Sequence, residues 1–401
     1  IITPYYYNDK YKYNIKEMAE IIVIGGGFAG CCACEMLSNQ GHKITLLEAS
    51  NVLGGGVRTL FYGGHPYTIG PRHFLTENER WFNYLNEIIP MHDCGKQHEN
   101  LTYVESDKEF YTYPPHVDDV NNMLELEEIN EHMNTVTSDE IANTTNFEDL
   151  WTAQLSKPVY QKFAEKYSKK MWGVADNREL DGEEFNQSLK LSYDGEVITT
   201  CGTKIRKGSK AAWADSRVIS AFPDAEDGYN KYFPYATRES NVKLGETIEE
   251  FDLEKSRIRL KGKWLGYDIM ISTISPEILL NYCYGKLNWM GRDFMKIVLP
   301  VERVFPENIF FQYYANDEPF TRIVEYKKFY RYQSTQTLLG MEIPSKKNKL
   351  YPYPTKRDQD LAAEYLNNLP ENVYSIGRAG SYRYIDMDDI IGQCYELLEK
   401  I

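Results

Sequence analysis

Three glycines, Gly25, Gly27 and Gly30, have the spacing of a turn that holds a phosphate group. They follow residues 21–24, four consecutive β-branched residues that predict a strand buried on both faces. In such a turn the first glycine allows the bend and the second lets the backbone approach a pyrophosphate. The third lets the next helix pack against the strand. The spacing therefore predicts a dinucleotide site.

An acidic residue follows at the distance that a ribose requires. Glu48 ends the next predicted strand, residues 43–47, and stands 18 positions after Gly30. A carboxylate there accepts hydrogen bonds from a ribose diol and disfavours the 2′-phosphate of NADP. Strand, helix and acid are in register, which makes an ordinary glycine-rich loop a poor explanation of the pattern.

A second glycine cluster, Leu53-Gly-Gly-Gly-Val-Arg-Thr59, comes shortly after this acid. It resembles the cluster of FAD-dependent oxidases and their relatives, in which the backbone passes close to the flavin side of the cofactor. We therefore expect FAD rather than NAD. The cofactor contacts predicted in this part of the chain come from Phe28, Ala29, Gly54 and Gly55, in addition to the three glycines and Glu48.

The elements that must position these residues are visible as periodic patterns. A helix is expected from the glycine turn to about Gln40, with Gly41 as its C-cap. Residues 101–113 alternate like a hairpin, residues 117–172 have helical spacing, and residues 297–342 are rich in strand patterns. A buried strand at 268–275, a short strand at 372–376 and a final helix at about 388–400 complete the chain.

These patterns predict an α/β fold. It consists of a discontinuous, Rossmann-like FAD-binding domain, a helical insertion and a mostly antiparallel β-sheet domain that binds substrate. The expected boundaries are 1–18 for an N-terminal arm, 19–78, 203–276 and 355–401 for the FAD-binding domain, 115–185 for the helical insertion, and 79–114, 186–202 and 277–354 for the sheet domain.

Composition excludes several classes of function. The net charge of −14 argues against nucleic acid as a partner. No apolar run approaches the roughly 20 residues of a membrane span. Cys31 and Cys34 form a Cys-x-x-Cys inside the dinucleotide helix, where packing of small residues explains them better than a metal, so no metal site is predicted. Reduced cysteines favour a cytoplasmic protein.

Four further blocks carry a family resemblance. Gly377-Arg-Ala-Gly-Ser-Tyr-Arg-Tyr-Ile-Asp-Met-Asp388 resembles the C-terminal signature of the UDP-galactopyranose mutases. Residues 318–329, 160–173 and 70–76 resemble three more of that family's motifs, in the family's order. Together with the glycine turn, these blocks span most of the chain.

The resemblance implies a flavoprotein with no net redox reaction. In this family reduced FAD attacks the anomeric carbon of UDP-galactopyranose through N5, the sugar ring opens and recloses as a furanose, and UDP is recaptured. A nucleotide sugar is thus the expected substrate, and a homodimer is left open.

The resemblance also assigns roles to individual residues. Arg322 and Tyr384 would act at the diphosphate, and Arg72 would lie beside the flavin as the third residue of the catalytic group. The implied substrate-binding residues are Phe163, Tyr167, Trp172 and Tyr353, and the implied flavin contacts are His73, Gly377, Arg378, Asp386 and Met387.

The sequence departs from the family on the nucleotide side. Asn186 or Gln187 stands where the family has a second diphosphate-binding arginine, and Ala164 replaces the second of two uracil-side phenylalanines. A lost buried arginine–phosphate pair costs on the order of 2–4 kcal/mol. Lys204, Arg206 and Lys207 could restore the charge, or could form a solvated basic turn.

Alternatives remain for several of these residues and for the whole chain. Arg322 could instead form a structural ion pair with Glu318 or Glu325, Tyr167 and Trp172 could be core residues, and Arg72 could pair with Glu48 or a surface acid. The protein could also be an FAD oxidoreductase or a non-catalytic FAD-binding structural protein on the same scaffold.

Overall fold

The computed structural model describes residues 18–96, 98–182, 189–193, 196–199, 205–214 and 217–401. Nearly all of the predicted N-terminal arm, and with it Asn186, Gln187 and Lys204, lies outside the described residues.

A five-stranded parallel sheet carries the glycine turn. Its first strand, Glu20–Ile24, is buried from Ile21 onwards, as four adjacent β-branched residues predict. The spatial order of its strands is Asn241–Leu244, Lys43–Glu48, Glu20–Ile24, Ile269–Ser272 and Val373–Ser375. Strands from distant parts of the chain thus meet in one sheet, which confirms the discontinuous Rossmann-like architecture.

The helix after the glycine turn is Phe28–Ser38, two residues shorter than expected. It ends early because Gly41, at φ +89°, donates its backbone N–H to the Ser38 carbonyl at 2.9 Å and turns the chain into the next strand. Against this helix packs the last helix, Met387–Lys400, which begins at the position that the sequence predicts within one residue.

A seven-stranded sheet forms the second layer. Its order is Tyr351–Pro352, Trp289–Leu299, Thr337–Ser345, Arg322–Glu325, Phe311–Tyr314, Leu101–Val104 and Glu109–Thr112. All neighbours are antiparallel except Phe311–Tyr314 and Leu101–Val104, which are parallel. The predicted hairpin at 101–113 is confirmed and supplies the last two strands.

The helical insertion contains Val117–Val120, Leu126–Thr135, Ser138–Ala142, Phe147–Leu155, Lys157–Tyr160, a π-helical turn at Gln161–Glu165, and Lys166–Trp172. Its apolar residues form a core of their own around Leu150, Trp151 and Leu155. This core also receives Met290 and Tyr351 from the seven-stranded sheet, so the insertion is fixed to the edge of that sheet.

Smaller elements complete the fold. One small antiparallel sheet consists of Phe74–Thr76, Ile219–Pro223 and Met91–Asp93. A second consists of Glu250–Asp252, Arg257–Leu260 and Lys263–Gly266, and a third pairs Leu60–Tyr62 with His65–Tyr67. Leu189–Tyr193 pairs with Glu196–Thr199. The other helices are Glu79–Ile88, Tyr232–Ala236, Pro276–Leu279, Lys327–Tyr330, Lys356–Asn367 and Gly377–Gly380, with 3-10 turns at Gly55–Val57, Asn177–Glu179 and Gly228–Lys231.

Candidate functional site

The glycine turn has the geometry of a phosphate cradle. A Cβ on Gly30 would lie 1.9 Å from the Gly25 carbonyl oxygen, so only glycine lets the helix start this close to the strand. Gly25 itself has φ +96°. A Cβ on Gly27, in contrast, would meet no atom within 4 Å, because Gly27 faces an open cavity at the N-terminus of Phe28–Ser38. An anion placed there meets free backbone N–H groups and the positive end of the helix dipole.

The second glycine cluster is joined to the first. Gly54 donates its N–H to the Gly26 carbonyl at 2.7 Å, and Gly55 lies against Gly27, whose Cα would be 3.2 Å from a Cβ at Gly55. Glu48 is fixed at the end of its strand by the N–H groups of Gly26, at 2.6 Å, and Ser50, at 2.7 Å. Cradle and acid therefore form one surface of the shape and polarity that a dinucleotide requires.

The cavity in front of this surface, which we call the dinucleotide cavity, has a volume of about 380 Å³. It is lined by many of the residues predicted to hold the cofactor: Gly27, Phe28, Ala29, His73, Gly377, Arg378, Asp386 and Met387, with Arg72 beside them. Asp386 is the N-cap of the last helix and accepts a hydrogen bond from Arg378 at 2.9 Å. Two helix N-termini thus open towards the same cavity.

A second, smaller cavity of about 120 Å³, the aromatic cavity, lies between the helical insertion and the seven-stranded sheet. Phe163, Tyr167 and Trp172 line it, as the family resemblance implies for substrate-binding residues. Phe147 and Trp151 extend its aromatic lining further into the insertion. Flat aromatic walls of this kind suit a planar ring system such as a nucleobase.

The two cavities share one wall. Tyr113, Tyr313, Arg322, Tyr351 and Tyr384 line both. A ligand in the aromatic cavity therefore lies one side chain away from whatever occupies the dinucleotide cavity. The shared wall contains Arg322 and Tyr384, the two residues that the resemblance implies at a diphosphate.

Arg322 forms a buried ion pair, but its partner is neither Glu318 nor Glu325. The guanidinium donates to both carboxylate oxygens of Glu342, at 2.8 and 2.9 Å. Glu342 lies directly opposite Arg322 on the neighbouring strand Thr337–Ser345. Burial by itself would raise the pKa of Glu342, and the charge and hydrogen bonds of Arg322 hold it below its ordinary value.

A second arginine shares this carboxylate. The Nε of Arg292 lies 3.9 Å from a Glu342 oxygen, and the Arg292 side chain is only 2% exposed. Its guanidinium lies over the ring of Tyr351, 4.8 Å from the centroid, and contacts Met171. The aromatic cavity is thus lined by two guanidinium groups and one carboxylate, which leaves an excess positive charge.

Tyr351 stands between arginines from both cavities. The Arg378 guanidinium lies 5.0 Å from the ring centroid of Tyr351 and 5.3 Å from that of Tyr384. Burial acts to raise the pKa of Tyr351, but the charges of Arg72 and Arg292 outweigh it and lower that pKa. Its hydroxyl is therefore a better hydrogen-bond donor to an anion than an ordinary buried phenol.

His73 is neutral in this environment. Its imidazole lies within 6.2 Å of the rings of Phe311 and Phe329, and burial lowers its pKa to about 4. Arg72 donates to the Gly56 carbonyl at 3.2 Å. Arg72 is thus tied to the backbone of the second glycine cluster, and its neighbour His73 carries no charge at neutral pH.

Other residues singled out from the sequence lie elsewhere. Tyr353 is buried and lines neither cavity. Its hydroxyl donates to the Trp172 carbonyl, and its backbone N–H donates to the Tyr382 hydroxyl at 3.1 Å. Arg206 is buried and donates to the carbonyls of Pro114 and Lys210, so it acts in the fold and not as a replacement for the missing arginine.

Sequence reasoning missed Arg292, Glu342, Tyr313 and Tyr351 as members of the site. Arg292 stands in a strand pattern without a motif, and strand pairing brings Arg292 and Glu342 to Arg322. The signal that could have identified Tyr351 was its place two residues before Tyr353, because residues at that spacing in an extended chain share one face.

Two absences concern only the part of the chain that the structure describes. In that part, no group of three or more His, Cys, Asp and Glu residues is placed to hold a metal ion. No helix in the same residues has the length and apolar character needed to cross a membrane.

Comparison with known proteins gives two matching family models. The model described as UDP-galactopyranose mutase matches residues 162–384, more than half of the chain. A model for the NAD(P)-binding Rossmann-like domain matches residues 23–88, which contain the glycine turn and Glu48.

Individual relatives cover nearly the whole chain. A probable UDP-galactopyranose mutase of Klebsiella pneumoniae is 22% identical over 395 residues, 95% of this chain and 94% of its own length. The dTDP-fucopyranose mutase of Escherichia coli is 21% identical, over 94% of this chain and 97% of its own. A crystal structure of reduced UDP-galactopyranose mutase superimposes with a TM-score of 0.77 at 16% identity and covers 95% of both chains. By the match of its family model, the chain belongs to the UDP-galactopyranose mutase family.

Proposed function

We propose that this protein is a flavin-dependent isomerase that interconverts the pyranose and furanose forms of a nucleotide sugar of the UDP-galactose type. The observation that carries the proposal is the wall shared by the two cavities. It puts Arg322 and Tyr384 between a dinucleotide cradle and a pocket of nucleobase character. A nucleotide sugar that spans this wall would have its base among aromatic rings and its sugar beside the flavin.

The cofactor that we propose is FAD in its reduced form. When bound, reduced FAD would supply a nucleophile for the anomeric carbon of the sugar. The glycine cradle would hold the pyrophosphate, Glu48 the ribose, and Gly377, Arg378, Asp386 and Met387 the flavin. The open space in front of Gly27 and the two helix N-termini support this assignment.

The diphosphate would bind at the shared wall. Arg322 and Arg292 carry two positive charges against the single carboxylate of Glu342. The tyrosine hydroxyls of the wall add hydrogen-bond donors at the same place. We propose that Arg292 supplies the second cation that the sequence lacks after Trp172. A buried guanidinium that already overlies Tyr351 needs little reorganisation to meet a phosphate.

The residues of the chain have distinct tasks in this scheme. The aromatic cavity excludes water from the nucleoside, and the arginines hold the departing nucleotide close enough to be recaptured. His73, neutral because its pKa is about 4, leaves the positive charge near the sugar to Arg72 and Arg322.

Trapping of the sugar on the cofactor tests the proposal. The FAD-loaded protein, reduced with dithionite, is mixed with UDP-galactopyranose and cyanoborohydride, and the flavin is analysed by mass spectrometry. We expect a flavin heavier by one hexose. The trapped product should disappear in Arg322→Met, fall strongly in Arg292→Met, and persist in Arg178→Met, whose guanidinium is exposed and paired with Glu148. No adduct, together with no binding of UDP at millimolar concentration, would refute the UDP-sugar assignment.

A further inference from the structure

A π-helical turn shapes the nucleoside end of the aromatic cavity. Gln161–Glu165 lies between the helices Lys157–Tyr160 and Lys166–Trp172. A π-helical turn contains an extra residue, which rotates the side chains that follow and breaks the regular backbone hydrogen bonds. Phe163 and Ala164 from this turn, and Tyr167 from the next helix, line the cavity. The lining therefore depends on what holds the turn in its π conformation.

A buried lysine in the turn is held by the neighbouring hairpin. The Nζ of Lys162 lies 2.5 and 2.6 Å from the two carboxylate oxygens of Asp107, and the Lys162 side chain is only 8% exposed. Asp107 belongs to the tight turn that joins Leu101–Val104 and Glu109–Thr112. It also accepts a hydrogen bond from Tyr111, at 2.7 Å, and the Tyr111 ring lies 5.9 Å from that of Phe163.

An asparagine secures the two ends of the same turn. Asn177 is fully buried, and its amide donates to the Tyr160 hydroxyl at 2.8 Å and to the Glu165 carbonyl at 2.9 Å. Tyr160 immediately precedes the turn and Glu165 ends it. One amide thus satisfies a carbonyl at the end of the turn and fixes the side chain at its start.

We propose that Lys162, Asp107 and Asn177 are positioning residues for the binding of a pyrimidine nucleoside diphosphate. They hold the π-helical turn so that Phe163 and Ala164 stay at the cavity wall. The inference rests on the proposed function, because it takes the aromatic cavity as the nucleoside site. The three residues do not touch the ligand. They connect the hairpin, which contributes Thr102 to the same cavity, to the turn that forms the opposite wall.

The test compares Lys162→Met with Lys166→Met. Lys166 stands four residues later, and its ion pair with Asp317 is exposed, so its loss is a matched control. Binding of UDP and of dTDP is measured by calorimetry on the FAD-loaded protein, alongside the flavin content and the steady-state kinetics with UDP-galactopyranose. We expect Lys162→Met to weaken nucleotide binding on the order of tenfold and to raise KM by a similar factor. The kcat, the flavin content and the behaviour of Lys166→Met should stay close to those of the wild type.

Two further variants keep the inference falsifiable if Lys162→Met folds poorly. Asp107→Asn weakens the same contact from the hairpin side, and Lys162→Arg keeps the charge and should restore most of the nucleotide affinity. Unchanged affinity in Lys162→Met and Asp107→Asn would overturn the inference, as would a loss of flavin parallel to the loss of nucleotide. If the wild-type protein binds neither UDP nor dTDP, the proposed function itself fails, a result distinct from normal binding that the variants leave unaffected.

Discussion

Substitution of Glu342 by glutamine removes the carboxylate that the buried Arg292 and the partly buried Arg322 share. Glu342 accepts both hydrogen bonds of Arg322 and lies 3.9 Å from Arg292, and its side chain is 2% exposed. Glutamine has nearly the same volume and keeps one acceptor oxygen, so Glu342→Gln changes the charge and hardly alters the packing. The protein without ligand then has one buried and one partly buried guanidinium group, and Glu342 no longer compensates their charge.

The size of the effect follows from this burial. Removal of one partner of a buried ion pair costs about 3–5 kcal/mol, because the remaining charge is desolvated. Since glutamine retains one acceptor, we expect the free energy of unfolding to fall by about 3 kcal/mol, the lower end of that range. Urea unfolding followed by tryptophan fluorescence measures this change.

The pH dependence of the free energy of unfolding is an independent test that ionised Glu342 stabilises the fold. The pKa of folded Glu342 lies below its ordinary value, so its contribution to stability is present above the unfolded pKa of about 4.3 and is lost as pH falls through the folded pKa. The difference between wild type and Glu342→Gln should therefore be full at pH 7 and shrink below about pH 4.

Nucleotide binding should reverse part of the loss. A diphosphate at the shared wall supplies the anion that Glu342→Gln lacks, so saturating UDP should raise the free energy of unfolding more in the variant than in the wild type. The control is Asp293→Asn on the strand Trp289–Leu299, whose pair with Lys347 is exposed and contributes at most about 1 kcal/mol. If Glu342→Gln loses no more stability than this control, the account of the two arginines is wrong.

Two other predictions concern the dinucleotide cavity. Gly30→Ala should abolish binding of FAD, measured as flavin content after purification, because a Cβ would lie 1.9 Å from the Gly25 carbonyl; Gly41→Ala meets no atom within 4 Å and should keep the flavin despite its strained backbone. His73 should titrate at a pH of about 4, measured by NMR of its ring protons, and since its folded pKa is lowered, its burial should destabilise the fold only as pH falls below about 6.5. An imidazole that titrates near pH 6.5 would show that packing against Phe311 and Phe329 does not desolvate His73.

The sequence predicted those parts of the fold whose causes are local. Four β-branched residues before a glycine turn identify a buried strand, because no other element uses that combination. The hairpin at 101–113 was predicted correctly for the same reason: alternating apolar residues and a polar turn lie within a few residues of each other. The end of the first helix was misplaced by two residues, since Gln40 and Gly41 donate to the carbonyls three residues before them, and apolar spacing does not show this tighter turn.

The candidate site was predictable only as far as motifs reach. Arg322 and Tyr384 lie in motifs, and the structure places both at the shared wall. The alternative that paired Arg322 with Glu318 or Glu325 is wrong, because those acids are near it only in the chain, whereas Glu342 is opposite it on a paired strand. Arg292 was missed for the same reason, since it reaches Glu342 from a third strand of the sheet.

The position of Arg292 matters when the nucleotide-binding residues of different family members are compared. Judged by sequence, the chain has lost a diphosphate-binding arginine, which suggests a weakened active site. In the structure, the guanidinium of Arg292 already lies at the same carboxylate as Arg322, in the aromatic cavity next to the shared wall. A diphosphate is neutralised by the cations that surround it, whether a loop or a strand carries them. A departure from a motif is thus evidence of lost function only after the neighbouring strands have been searched for a side chain that performs the same task.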